Sequence, residues 1–324
     1  MKKEKRKILS IVIPTYNRAK YLDNCLNSIF LQITEENKND IEIIVSDNCS
    51  TDNTIEIMEK YLKYKNLDYK FSSNKKNLGP DYNFHKLVFE SSGSFCWIFG
   101  DNEYIEYGKL EKVLDILKKN LKIGILFLEN SKNKKILEEY NDKNEFLKKV
   151  HYNIGFITGV IFNKEYLDYG FNYQKYFNKF MSYNYFYLHS LFKSEKSVIY
   201  NERIFNSLSA TNGGYKLFES FGKNFNEILG LFTDKGLEEK TIQYINRKLC
   251  SSFFPGWIIE IRKKKTRTHF LQENIYDELY PIFKRYVFFW IIEYPIIKLP
   301  LFFSRIYYFM YKIFRKSMNF FIER

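Results

Sequence analysis

Cysteine is scarce in this chain and proline nearly so: four and six residues among 324. Cys25, Cys49, Cys96 and Cys250 have neither the paired spacing of a zinc site nor the density of a disulfide framework. Reduced thiols in a cytoplasmic protein are the expectation. No uncharged run reaches the roughly eighteen apolar residues that a membrane span needs. There is no internal repeat and no long Pro/Gly/Ser linker. Met1–Lys7 is basic, but the apolar stretch behind it stops at Pro14-Thr15-Tyr16-Asn17. That is too short for the apolar core of a signal peptide, so the stretch is expected to be the first strand.

What is present is enough apolar material, 45% of the residues, for a substantial core. The first hundred residues alternate strand and helix patterns. Ile8-Leu9-Ser10-Ile11-Val12-Ile13 is a β-branched run, followed by a polar loop and then by Leu22, Cys25, Leu26 and Ile29 at helical spacing. The order repeats with Ile41-Glu42-Ile43-Ile44-Val45, the loop Ser46–Asp52, and a helix face of Ile55, Met58, Tyr61 and Leu62, with Thr51 or Asp52 as its cap. Such alternation predicts a parallel sheet with right-handed crossovers. Trp97-Ile98-Phe99 reads as a further buried strand, and Asp101 and Glu103 follow it directly. Open α/β sheets bind ligands at the carboxyl ends of their strands. Thr15, Asp47 and Asp101 are therefore expected along one rim, where Asp101 and Glu103 offer two hard oxygen ligands to a divalent cation such as Mn²⁺ or Mg²⁺.

Four motifs in order, Ser10–Arg18, Val45–Asp52, Asn77-Leu78-Gly79 and Gly100-Asp101-Asn102-Glu103, resemble those of family 2 glycosyltransferases with the GT-A fold. The Ser46-Asp47-Asn48 form of the second motif and Thr158–Asn163 are similar to the abequosyltransferase-like branch of bacterial surface-polysaccharide enzymes. The resemblance implies a Rossmann-like, mostly parallel α/β sheet flanked by helices. It also implies a nucleotide-diphosphate sugar as donor, bound by Pro14, Thr15, Tyr16, Arg18, Asp47 and Asp101. Asp47 takes the place of the carboxylate that reads the base, while Asp101 and Glu103 match the metal motif. Here Glu replaces the usual second Asp and Asn102 replaces a frequent middle carboxylate. Asn77 and Gly79 read as a turn into a helix near Asp81.

An inverting transfer needs a base on the acceptor side. Many relatives carry Glu-Asp there, but the window from Phe177 to Phe192 has no such pair. His189, whose unperturbed pKa lies near neutrality, is the first candidate base, with Asp168 second and Glu202 third. The polar run Asn130–Lys135 is expected as a surface loop between a donor half, about 1–128, and an acceptor half, about 129–225.

Residues 226–324 read as a helical, basic-aromatic region. The net charge of +13 concentrates there, in Arg262–Arg267 and in alternating large apolar residues and cations from Tyr280 onward. Pro295 and Pro300 are expected to break it into two or three short helices. This pattern suits an anionic membrane surface and a lipid-linked glycan acceptor. No nucleic-acid motif accompanies it. The expected function is extension of a bacterial surface glycan (lipopolysaccharide, lipooligosaccharide, capsule or O-antigen) at the inner face of the cytoplasmic membrane. The alternatives are a non-catalytic GT-A scaffold or a nucleotidyltransferase, the latter disfavoured because Pro14–Arg18 is not a Gly-rich phosphate loop.

Overall fold

The computed structural model describes residues 6–64, 67–129, 135–208, 214–263 and 273–322, with side chains placed as far as residue 315 in the last helix. Residues 130–134 of the polar run and 264–267 of the basic cluster lie outside the described residues. The chain forms two compact units, one of Met1–Asn212 with Asp234–Gly236 and the other of Gly213–Thr233 with Leu237–Arg324.

The first unit opens with β1 (Leu9–Thr15), α1 (Ala19–Phe30), β2 (Ile41–Asp47), α2 (Thr54–Lys60), β3 (Tyr69–Ser73), α3 (Pro80–Glu90) and β4 (Phe95–Ile98). Then come β5 (Glu103–Ile105), α4 (Lys109–Lys119), β6 (Ile123–Leu128), β7 (Leu137–Tyr140) and α5 (Lys143–Val150). It closes with β8 (Val160–Asn163), α6 (Asn184–Lys193), β9 (Lys196–Tyr200) and β10 (Phe205–Ser207). Eight strands form one sheet in the order β3-β2-β1-β4-β8-β6-β9-β7, and β10 pairs with β5 apart from it. From β3 to β4, and again in β6 and β9, the strands run one way; β8 and β7 are antiparallel. Strands β1, β2, β4, β6 and β8 are almost entirely buried, and most of their residues are apolar, as in a sheet covered on both faces.

Helix α1 buries Leu22, Cys25, Leu26 and Ile29, the expected stripe. The face expected for α2 is only partly inward. Met58 and Tyr61 are buried, whereas Ile55 is 40% and Leu62 is 52% exposed. The α-helix ends at Lys60 and tightens into a 3₁₀ turn at Tyr61–Lys63, which changes the angular step between side chains.

The second unit comprises α7 (Phe225–Gly230), α8 (Glu239–Lys248), α9 (Phe254–Arg262), α10 (Ile275–Phe283), α11 (Tyr294–Lys298) and α12 (Leu301–Ile322). Pro295 opens α11 and Pro300 precedes α12, as a residue without an N–H allows. Beyond Pro300 the chain forms one helix of 22 residues rather than another short one. Arg262 holds the junction, donating to Ser304 Oγ (2.8 Å), to the Leu299 carbonyl (2.7 Å) and to the Ile296 carbonyl.

Two histidines of the first unit are buried in one aromatic cluster. Tyr173 packs edge-on against His85 on α3 and His189 on α6, with centroids 4.9 and 6.1 Å away. Burial drives both imidazoles down to about 4. The unfolded value is about 6.5, so between those values the unfolded chain binds more protons than the folded one. Stability is present in full above about pH 6.5 and is lost on acidification toward about 4, at most about 1.4 kcal/mol per pH unit for each ring. Denaturant melts across this window should show that slope, and His85→Phe with His189→Phe should flatten it; an unchanged slope in the double variant would refute the assignment.

Candidate functional site

The parallel register brings the strand ends level. Thr15 pairs with Asp47 and Asp47 with Ser73, while Val12 pairs with Ile98 and so places Asp101 just beyond the end of β4. Asp47 is fully buried, accepts from Ser50 N (3.1 Å), Ser50 Oγ and Ser73 Oγ (2.6 Å), and is thereby fixed in orientation. Beside it Asn48 accepts from Leu78 N and Asn74 Nδ2 (both 3.0 Å) and donates to Asn77 Oδ1 (2.8 Å). Asn77 Oδ1 also receives Gly79 N (2.9 Å), so the Asn77–Gly79 turn is tied to the β2 end. Gly79 has φ of 84°, a conformation that costs glycine little. Asp52 accepts from Thr54 N (3.2 Å) and from Ala19 N (3.1 Å), the first residues of α2 and α1, while Asn53 and Arg18 occupy the N-cap positions themselves.

The Pro14–Arg18 loop reaches the acid pair through Arg18, whose Nη1 lies 2.9 Å from Asp101 Oδ1. Tyr16 is 43% exposed at the rim, and Pro14 is half-buried within β1. Asp101 is buried, and desolvation raises its pKa against the opposing pull of Arg18 and the Thr15 hydroxyl. Glu103 is pushed up to about 7, chiefly by burial and in part by the charge on Asp101. Ser207 Oγ on β10 donates to its Oε1 (3.0 Å). Its Oε2 is buried without a hydrogen bond of ordinary geometry, although the Thr158 hydroxyl stands beside it. Gly100 permits this approach: a Cβ there would lie 3.3 Å from the Glu103 carboxylate and 3.4 Å from Thr158 Oγ1. The same Thr158 hydroxyl accepts from Gly100 N (3.0 Å).

Among the described residues no group of three His, Cys, Asp or Glu side chains surrounds a metal position. Asp101 and Glu103 still fit a hard divalent cation that takes its other ligands from diphosphate and water. Both are oxygen donors, both are desolvated, and one carboxylate oxygen has no hydrogen bond.

Thr158 and Ser207 complete the site and were not expected there as site residues. They reach it from 58 and 104 residues away, a distance along the chain that no local pattern reveals.

The expected bases lie elsewhere. Strand β8 runs antiparallel, from Thr158 at the rim to Asn163 opposite Phe95 at the amino-terminal end of β4. Lys164 N then bonds Ser94 O (2.8 Å), so Asp168 follows at the far end of the sheet from Asp101. There Asp168 closes a turn by accepting Gly170 N (3.1 Å). His189 is 1% exposed and packs against Phe171 at 5.2 Å. The next residue, Ser190, donates to the carbonyls of Gly124 and Asn163, again at that far end. An acceptor at the rim reaches neither group. Glu202 is held by Lys109, Lys112 and Tyr200, which depress it to about 2, and it is too weak a base for this step.

A different buried carboxylate anchors the segment that precedes α6. Asp81, near the start of α3, is buried and accepts from Phe180 N (2.8 Å), Ser182 N (3.2 Å) and Ser182 Oγ (2.6 Å). It anchors the segment that leads into α6, in which Asn178 and Phe180 have φ of 68° and 57°. Such values are uncommon for a bulky residue and persist only where the surroundings impose them. Phe177 packs edge-on against the half-exposed Tyr82 at 5.9 Å.

This geometry, a mixed α/β sheet with polar strand ends level at one rim and an acid pair beyond β4, is that of GT-A glycosyltransferase folds. The solved structure of Staphylococcus aureus TarS residues 1–349 in complex with UDP-GlcNAc aligns over 96% of this chain and 92% of its own, with a TM-score of 0.62 at 18% identity. A mannosyltransferase from Pyrobaculum calidifontis in complex with GDP-Man and Mn²⁺ aligns over 81% and 76%, with a TM-score of 0.52 at 12% identity. The sequence pattern of Glycosyl transferase family 2 matches residues 10–204, more than half of the chain, and the protein belongs to that family. It is 45% identical over 96 residues to the abequosyltransferase RfbV of Salmonella typhimurium, a match covering 30% of this chain and 28% of the relative. It is 36% identical over 97 residues to the poly(ribitol-phosphate) β-N-acetylglucosaminyltransferase TarS of S. aureus, covering 30% of this chain and 16% of that one. The matched segment thus spans less than a third of either relative.

Replacing Asp81 by Asn removes acceptor capacity and turns an amide N–H₂ toward backbone donors. The change should cost about 1–3 kcal/mol in a denaturant melt. A variant as stable as the parent would show that the anchor contributes nothing.

Proposed function

We propose that this protein transfers a sugar from a nucleotide-diphosphate sugar to a hydroxyl of a bacterial surface glycan. The observation that carries the reading is the convergence of Thr15, Arg18, Asp47, Asp101 and Glu103 on one rim. In it the base stacks near Tyr16 and donates an N–H to Asp47, which Ser50 and Ser73 already aim. Asp101 and Glu103 would hold a divalent cation, whose charge offsets the negative charge that builds on the departing diphosphate. Arg18, beside Asp101, brings a guanidinium charge to the rim where phosphate oxygens would lie. The Asp81-anchored segment, with Tyr82 and Phe177 half-exposed, fits the acceptor side, where an aromatic face and a polar backbone suit a sugar ring.

The lack of any carboxylate on α6 favours one other reading, a non-catalytic scaffold that binds a nucleotide sugar without turning it over. Release of nucleotide diphosphate from any donor excludes it.

The finer reading places the protein on the cytoplasmic face of the membrane, where a lipid-linked glycan would be extended. No helix among the described residues is long and apolar enough to cross a membrane. One face of α12 packs within its own unit through the buried Ser304 and through Tyr311, whose hydroxyl donates to Ser251 O (2.6 Å). The opposite face exposes Phe302, Phe303, Ile306, Phe309, Met310 and Ile313, each by 45–67%. Helical spacing gathers these into one stripe, with Arg305 and Lys312 on its flank. An apolar stripe bordered by cations suits the surface of an anionic bilayer.

Calorimetric titration with UDP, GDP, CDP and dTDP, each with manganese and with EDTA, tests the donor site. One nucleotide should bind with metal, and Asp101→Ala or Glu103→Ala should abolish that dependence; absence of binding by all four would remove the reading. Separately, Phe302→Ser with Phe309→Ser should lower partition onto phosphatidylglycerol vesicles at least about tenfold. Equal partition would set the membrane placement aside.

A further inference from the structure

The second unit contains an open cavity of about 440 Å³ lined by Gln243 and Arg247 of α8, by Arg285 and Tyr286 of the turn after α10, and by Val287 and Phe288 of the helical turn that follows. Its lining combines two guanidinium groups and one carboxamide with Val287 and Phe288, which are 67% and 41% exposed.

One lining residue, Tyr286, is held by a network of amides. Asn226 and Asn246 donate to each other's oxygens at 3.0 and 2.7 Å, and Asn246 Nδ2 also donates to Tyr286 OH (3.1 Å). The guanidinium of Arg285 lies 5.2 Å from the centre of the Tyr286 ring, so the network positions the cation as well as the ring. The charge in the cavity is poorly compensated from within the protein. The nearest acidic partner of Arg285 is Glu239 at 3.8 Å, an exposed pair of little strength, and among the described residues Arg247 has no ion pair.

The apolar lip continues outward. Trp290 and Ile291 follow it, 44% and 55% exposed, with Trp290 Nε1 donating to Lys284 O (2.7 Å). Tyr307 of α12 donates to the Ile291 carbonyl, which joins this lip to the helix with the exposed apolar stripe. A cationic cavity whose mouth is edged by aromatic and aliphatic side chains matches the chemistry of a lipid at the bilayer boundary, an anionic phosphate next to acyl chain. A soluble phosphate would leave Val287, Phe288, Trp290 and Ile291 facing water.

The geometry points to a binding site for the phosphate or diphosphate headgroup of an anionic lipid, formed by Arg247 and Arg285, with Val287 and Phe288 set into the acyl boundary. This rests on the membrane placement proposed above and adds to it a discrete headgroup pocket. Arg carries the phosphate in a forked geometry that Lys does not reproduce.

The test uses the full chain, vesicles of phosphatidylcholine with and without phosphatidylglycerol, inorganic diphosphate in solution, and the variant Arg247→Gln with Arg285→Gln. Both positions are exposed at their guanidinium ends, and unchanged nucleotide binding would report an intact fold. The variant should lose about thirtyfold in partition onto phosphatidylglycerol vesicles, as removal of two cations near an anionic surface requires, and should keep whatever partition it has onto phosphatidylcholine. Equal partition of variant and parent onto the anionic vesicles overturns the pocket. Diphosphate binding that is lost in the variant while anionic-vesicle partition is kept assigns the site to a soluble anion and also overturns it. If the parent ignores both vesicles, the membrane placement fails together with the pocket, while the nucleotide titrations judge the donor site independently.

Discussion

The functional half of this molecule depends on the pairing of β1 between two parallel neighbours. Seven residues of β1 align with β2 and four with β4, with no slip in either register. A displacement by one residue would turn every side chain of β1 to the opposite face. It would bury Thr15 differently, part Asp47 from the loop after β1, and carry Arg18 away from Asp101. The nearly continuous burial of Leu9–Ile13 and Ile41–Asp47 makes such a slip costly, because both faces of these strands are covered. Hydrophobic packing therefore sets the positions of the polar groups at the strand ends.

Within that frame, charge is placed where water has been removed. Asp47, Asp81 and Asp101 are all at most 4% exposed, and each is compensated differently. Asp47 has serine hydroxyls and a backbone amide, Asp81 has backbone amides and one hydroxyl, and Asp101 has a guanidinium. Glu103 has the fewest partners, and its raised pKa is the physical sign of that shortage. In the proposed function Glu103 is one of the two carboxylates offered to an ion, and its shortage of partners suits a group whose partner arrives with a ligand.

Much of this was legible beforehand because it is local. The strand-loop-helix order, the acid pair after Phe99 and the turn at Asn77–Gly79 are each written within a few residues. What escaped was set by tertiary direction. Nothing around Thr158–Asn163 signals that β8 runs against its neighbours, yet that reversal carries Asp168 to the wrong end of the sheet. His189 lies on a helix that is buried almost all round, so periodicity could not say which way the ring faces. Chemistry alone made it attractive, and burial removes it. The two units divide near residue 213 with a return at Asp234–Gly236, a crossing that composition does not mark.

The Asp81 anchor grips mainly main-chain amides, those of Phe180 and Ser182. Main-chain amides are common to almost every amino acid, so the shape of this segment is insulated from most changes in its side chains. A lineage can therefore vary the side chains along this segment one at a time while the loop keeps its form.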